Sequence, residues 1–178
     1  IMALLMSRCA DEKYDIVIKN GTVYDGKGSE AINADIGITG GLIKKIGENL
    51  SSRDGSVIDA EGMIVAPGFI DIHTHCDEQI LDKGMNNLKN YLTLGVSTVV
   101  TGNCGDGTWE VEEFFSRLDV IGTGTNIVHL AGHNSVRNKV MGMDDREPTA
   151  DELEKMKNMI RSAMAGGAAG MSAGLFYT

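Results

Sequence analysis

The sequence predicts an α/β protein in two parts: a small β-sandwich segment over residues 14–66, then a parallel α/β sheet over residues 67–178. Three observations carry this prediction. Short apolar runs separated by Asn-Gly and Gly-Gly pairs fill the first part, as in strands linked by tight turns. After Pro67, β-branched runs alternate with helical periodicity, which demands parallel strands joined by crossover helices. The chain holds 23 glycines against 2 prolines, and the glycines fall between the apolar runs as turn punctuation, not as a low-complexity tract.

Residues 1–13 open on "IMALLMSRC" and a charged "ADEK". This stretch reads equally as the remnant of an export leader ending near a lipid-attachment Cys9 or as a start-proximal tail, so the location is exported or cytoplasmic. Arg8 departs from the small residues usual before such a cysteine. Strands follow in "YDIVI" and "TVYD", joined by a hairpin at Asn20-Gly21. "ADIGITG" and "LIKKIG" are broken by Gly40-Gly41, and "SVIDAEGMIVAPG" closes the segment.

In the second part "FIDIHTH" is an apolar strand, and "MNNLKNYLTLG" a helix stopping at Gly95. "VSTVVTGNC" is the second strand, and "TWEVEEFFSRLD" a helix capped by Thr108. "NIVHLAGH" is the third strand. "TADELEKMKNMIRSAMAGG" is a helix with a Thr149–Glu152 capping box, an apolar face of Leu153, Met156, Ile160 and Met164, and an end at Gly166. "AAGMSAGLF" is the fourth strand. Right-handed crossovers narrow this to a doubly wound sheet or part of a (β/α)8 barrel, and both place chemistry at the carboxyl ends of strands.

The formal net charge of −9, with a pI near 4.8, repels phosphate backbones and argues against a nucleic-acid partner. No apolar run approaches the roughly 20 residues of a membrane span. Cys9, Cys76 and Cys104 are too few and too scattered for a disulfide framework.

Residues two apart on a strand point to the same side, so His73 and His75 aim at one point beyond the first parallel strand. Two neutral imidazoles so placed clamp a borderline metal such as zinc, although a bare H-x-H is also a common pair of polar residues. Cys104, beside Gly102 and Gly105, is a thiolate ligand or a small buried hydrophobe. Cys76 points away from the histidines and packs. Asp77 orients a ligand or a loop, with Asp71 a weaker candidate for the same task. His129 and His133 have the four-residue spacing of a helical metal site, but a strand ending in a glycine turn removes that geometry. His129 then lies inside the strand as a hydrogen-bonded group. "GMSAG" around Ser172 fits the G-x-S-x-G nucleophile elbow, but no histidine follows Ser172 to complete a triad.

"VAPGFIDIHTHCD" resembles the first barrel strand of the metal-dependent amidohydrolases. "GVSTVVTGNCG", "GHNSVR" and "GAAGMSAGLFY" resemble the next strand ends of the N-acyl-D-amino-acid deacylases, the D-aminoacylases, with Ala173 where threonine is usual. The likeness runs from about Tyr14 onward, and GNCG is its most specific part. It implies a partial (β/α)8 barrel of four β-α units, zinc as cofactor, and His73, His75 and Cys104 at the metal. His133 and Tyr177 are then near the substrate, a small N-acyl amino acid cleaved to a carboxylic acid and a free D-amino acid. It also implies two further histidine ligands and a general-base aspartate beyond Thr178. The 178 residues are therefore expected to be part of a longer enzyme, binding metal weakly and inactive alone. A cyclic-amide hydrolase of the dihydropyrimidinase or dihydroorotase kind is the competing enzyme reading, which the GNCG cysteine opposes. A catalytically incomplete fragment with a binding role is the third.

Overall fold

A computed structural model describes residues 13–176. The leader-like opening with Cys9, and Tyr177, lie outside the described residues. The chain divides after Pro67 into two compact units. Among the described residues, no helix is long and apolar enough to cross a membrane.

The first unit is built on β2 (Ile16–Val23), β3 (Ile32–Thr39) and β4 (Leu42–Gly47), an antiparallel ladder. β6 (Val57–Asp59) and β7 (Ile64–Val65) join β2 in parallel, completing a five-stranded mixed sheet. β1 (Lys13–Tyr14) and β5 (Ser51–Ser52) form a separate parallel pair. The Gly40-Gly41 turn links β3 to β4 with φ of 60° and 73°, a left-handed pair that favours glycine. Asn20-Gly21, read as a hairpin, is instead inside β2. Asn20 has φ 61°, and the β2–β3 register shifts between Ile18 and Gly21, so the dipeptide makes a bulge. Tertiary bonds hold it there: the Asn20 N–H donates to Asp35 Oδ1 at 3.1 Å and its Nδ2 donates to Asp59 at 2.9 Å. Asp35 is buried, and its other oxygen accepts the Leu50 N–H at 3.0 Å.

The second unit has four parallel strands, β8 (Phe69–Asp71), β9 (Val96–Thr101), β10 (Asn126–Gly132) and β11 (Gly170–Ser172), side by side in chain order. A doubly wound sheet reverses its order at a switch point; this one does not, and it is a parallel half-barrel sheet. α1 (Lys89–Leu92) is a single turn, shorter than the expected helix. Leu88 before it takes φ 46° and is buried with Cys76, Ile80, Val99, Phe114 and Leu118, so core packing breaks the helical run. α2 (Val111–Ile121) starts after Glu110. The expected cap, Thr108, lies two residues earlier, where its hydroxyl accepts the Glu110 N–H at 3.1 Å.

α3 (His133–Met141) was not anticipated. Its buried apolar residues are only Val136 and Met141, too sparse a stripe to announce a helix. α4 (Ala150–Ala165) carries the expected capping box: Thr149 Oγ1 accepts the Glu152 N–H at 3.3 Å, and Glu152 accepts the Thr149 N–H at 2.8 Å. Arg146 donates to both Glu152 oxygens at 2.8 and 2.7 Å and holds that carboxyl well below the usual range. β8 and β11 are only three residues each, so both H-x-H and the end of G-x-S-x-G extend past their strands.

Replacing Asp35 with alanine strands the N–H groups of Asn20 and Leu50. The expected loss is roughly 1–3 kcal/mol in chemical denaturation; an unchanged midpoint would mean the bulge is held without Asp35, by the Asp59 bond and packing.

Candidate metal centre

Beyond β8, burial alternates from His73 to Cys76. Thr74 and Cys76 are buried, while His73 and His75 between and before them are exposed. The Thr74 N–H and hydroxyl both donate to the Val100 carbonyl, at 3.0 and 2.8 Å, which fixes the segment against β9. The two imidazoles therefore project together, ring centres 5.4 Å apart.

Cys104 comes from the 3-10 turn Asn103–Gly105 that follows β9. Three of the four residues from Gly102 to Gly105 have a positive φ: 79° at Gly102, 57° at Cys104 and 87° at Gly105. A Cβ on Gly102 would collide with the Leu130 carbonyl, and one on Gly105 would have to displace the Asn134 amide, at backbone angles that favour glycine. Asn103 Nδ2 donates to the carbonyls of Val100 at 2.9 Å and Thr74 at 3.2 Å. One amide thus ties the cysteine turn to the histidine segment.

The outcome is a cluster in which the ligand atoms of His73, His75 and Cys104 lie within 4.8 Å of one another, and Cys104 Sγ is 3.4 Å from His73 Nε2. A tetrahedral zinc, with bonds of about 2.0–2.1 Å to nitrogen and 2.3 Å to sulfur, holds such a pair roughly 3.5 Å apart. Two imidazoles and a thiolate are zinc donors, and the cluster fits that ion. An open cleft of about 460 Å³ lies beside it, lined by His75, Cys76, Gln79, Met85, Leu88 and Tyr91 among others. Of the three donors only His75 lines that cleft, so it flanks the cluster and does not enclose it.

The remaining candidates separate. Cys76 is buried among Ile80, Leu88 and Val99. Asp71 Oδ1 accepts the His73 N–H at 3.1 Å. Asp77 Oδ2 accepts the Thr101 hydroxyl at 2.5 Å, and its Oδ1 faces His129 Nδ1 at 3.5 Å, both atoms buried without a hydrogen-bond partner. His129 is fully buried in β10; its Nε2 sits 3.2 Å from the Thr108 carbonyl, to which it donates in that tautomer. His133, which the resemblance puts near the substrate, is the first residue of α3, with Nδ1 3.3 Å from Asn134 Oδ1. Ser172 Oγ lies against the Gly102–Gly105 turn and, among the described residues, has no histidine partner, so the nucleophile elbow is absent. Sequence reasoning missed Asn103 and Thr74, whose roles lie in long-range bonds that local patterns do not encode.

The model of the family described as "Amidohydrolase family" matches residues 56–178. The chain belongs to the amidohydrolase family. A D-aminoacylase of Alcaligenes xylosoxydans xylosoxydans is 32% identical over 97% of this chain and 40% of its own length. An N-acyl-D-glutamate deacylase of the same organism is 34% identical over 93% and 38%. The crystal structure of N-acyl-D-glutamate deacylase from Bordetella bronchiseptica, complexed with zinc and a phosphonate inhibitor, superposes with a TM-score of 0.83 at 34% identity, over 94% of this chain and 40% of that one. This amidohydrolase chain thus spans about two fifths of the length of the curated relatives it matches.

Burial pushes the His129 imidazole below its ordinary 6.5; the Thr108 carbonyl and the Asp77 carboxylate pull the other way and lose. The unfolded state therefore binds more protons below pH 6.5 than the folded state does. The stability due to neutral His129 is complete above that pH and drains away as pH falls toward the lowered folded value. Denaturation of metal-free protein at successive pH values should show this decline, and His129→Gln should flatten it. Parallel profiles for the two proteins would exclude His129 as its source.

Proposed function

We propose that this chain is the N-terminal portion of a zinc-dependent deacylase that hydrolyses the amide bond of N-acyl-D-amino acids. The observation that carries the reading is the convergence of two exposed imidazoles and one thiol, with Sγ and Nε2 already 3.4 Å apart. The names of the relatives support the substrate class: D-aminoacylase, and deacylases of N-acyl-D-glutamate and N-acyl-D-aspartate.

In this reading the four β-α steps are the first half of a (β/α)8 barrel, and residues 14–66 contribute one part of a β-sandwich. Exposed Leu42, Ile43, Val57, Ile58 and Ile64 on the first unit fit a sheet that packs against further protein. His73, His75 and Cys104 hold the ion. When bound there, zinc supplies Lewis acidity toward an amide carbonyl and toward water. Thr74 and Asn103 keep the donors facing one another through the Val100 carbonyl. Asp77, bonded to Thr101, anchors the segment just after His75. His133 and Tyr177 are the residues this reading assigns to substrate contact. The carboxylate that takes and returns the proton, and the remaining histidine ligands, belong to residues past Thr178.

The test is hydrolysis by the full-length protein, stripped of metal and reloaded with zinc, of N-acetyl-D-glutamate and N-acetyl-D-methionine against hydantoin. Cleavage of the acyl amino acids, with D preferred over L, is expected. Cys104→Ala should lower kcat/KM by more than the roughly 10–100-fold that losing an outer hydrogen-bond partner of a metal ligand costs. Faster turnover of hydantoin would replace this reading with the cyclic-amide one.

A further inference from the structure

Ser172 belongs to a motif that the proposed chemistry leaves unused. Its side chain is buried at the end of β11, and its hydroxyl makes two bonds to one short turn. It donates to the Gly102 carbonyl at 2.5 Å and accepts the Gly105 N–H at 2.9 Å. A hydroxyl has one proton to give, and here that proton and a lone pair are both committed. Gly102 and Gly105 are the two ends of the turn whose third residue is Cys104. One side chain, 67 and 70 residues away in sequence, thus closes the turn across its mouth.

We propose that Ser172 is a positioning residue for the metal ligand Cys104, setting where the thiol sits; this rests on the reading of Cys104 as a zinc ligand. Cys104 has a left-handed backbone, φ 57° and ψ 20°, which a non-glycine residue keeps only when its surroundings hold it. Asn103 holds the inner side of the turn through Val100 and Thr74. Ser172 holds the outer side, from the fourth strand. The Ser135 hydroxyl, 3.4 Å from the Gly105 carbonyl, lies at the limit of a hydrogen bond and cannot substitute, since it reaches neither Gly102 nor the Gly105 N–H. With the Ser172 hydroxyl gone, the Gly102 carbonyl and the Gly105 N–H lose that partner in a buried setting, and the turn relaxes toward ordinary backbone. Cys104 Sγ then leaves the 3.4 Å separation from His73 Nε2 that suits a shared ion.

The experiment uses Ser172→Thr and Ser172→Val in the full-length protein. The two replacements share one shape and differ in the hydroxyl. Cobalt(II) replaces zinc as the probe, because a thiolate ligand gives a thiolate-to-cobalt charge-transfer band. Affinity is read by competition with a chelator, and folding by circular dichroism and the denaturation midpoint. Cys104→Ala identifies the band.

Ser172→Thr should retain the band and the affinity. Ser172→Val, still folded, should weaken cobalt binding about 10–100-fold and diminish the band. Equal behaviour of the two variants, whether both bind like the parent or both are impaired, overturns the positioning role. If Ser172→Val does not fold while Ser172→Thr does, Ser172→Ala takes its place, and wild-type cobalt affinity in it overturns the proposal. If Cys104→Ala keeps both band and affinity, the zinc-ligand reading falls and this inference falls with it. Loss in Cys104→Ala with none in Ser172→Val sinks only the present inference.

Discussion

The candidate metal centre hangs on one peptide carbonyl, that of Val100. It accepts the Thr74 N–H, the Thr74 hydroxyl and Asn103 Nδ2, at 3.0, 2.8 and 2.9 Å. Thr74 sits between the two histidines, and Asn103 directly precedes the cysteine. A single acceptor at the carboxyl end of β9 therefore fixes the two loops that carry the candidate ligands. Each of these bonds is worth only about 1 kcal/mol net, yet a buried donor left unmet costs about 1–3 kcal/mol. The arrangement is kept less by the strength of its bonds than by the cost of leaving any one unmade.

The same logic explains which parts were legible in the sequence. The H-x-H pair could be read because burial alternates from His73 to Cys76 even though regular β8 ends at Asp71. The α4 cap was legible because Thr149 and Glu152 satisfy each other within four residues. Asn20-Gly21 was misread because its left-handed backbone serves a bulge as well as a turn, and the partners that choose between them, Asp35 and Asp59, are 15 and 39 residues away. The G-x-S-x-G letters were equally ambiguous: a serine between glycines suits a nucleophile or a clamp, and only distant neighbours decide. Local geometry can be read from local sequence. A function defined by long-range partners cannot.

His129 illustrates a further constraint. It stands inside a parallel strand whose neighbours bury it completely, against the face of Phe114 at 4.4 Å between ring centres. Burial keeps the ring neutral, although the Asp77 carboxylate 3.5 Å away would favour charge. An ionised histidine there would have to be desolvated for one imperfectly placed partner, and that trade is unfavourable. The spacing shared with His133 is therefore no ligand pair: one histidine is sealed in β10 and the other opens α3.

The ligand role proposed for Cys104 accounts for how much hydrogen bonding surrounds it. A glutamate or lysine can reach a metal through several rotatable bonds and absorb an error in backbone position. Cysteine has a single side-chain torsion, so the place of Sγ is set almost wholly by the peptide that carries it. A short ligand needs an exact backbone, and at Cys104 that backbone is one most residues avoid, at a cost of about 1–3 kcal/mol. Glycines at 102 and 105 let the Leu130 carbonyl and the Asn134 amide press close, Asn103 fastens one side of the turn, and Ser172 closes the other. In that light GNCG and GMSAG are two halves of one device: the first supplies a donor that cannot adapt, and the second supplies the hydroxyl that spares it the need.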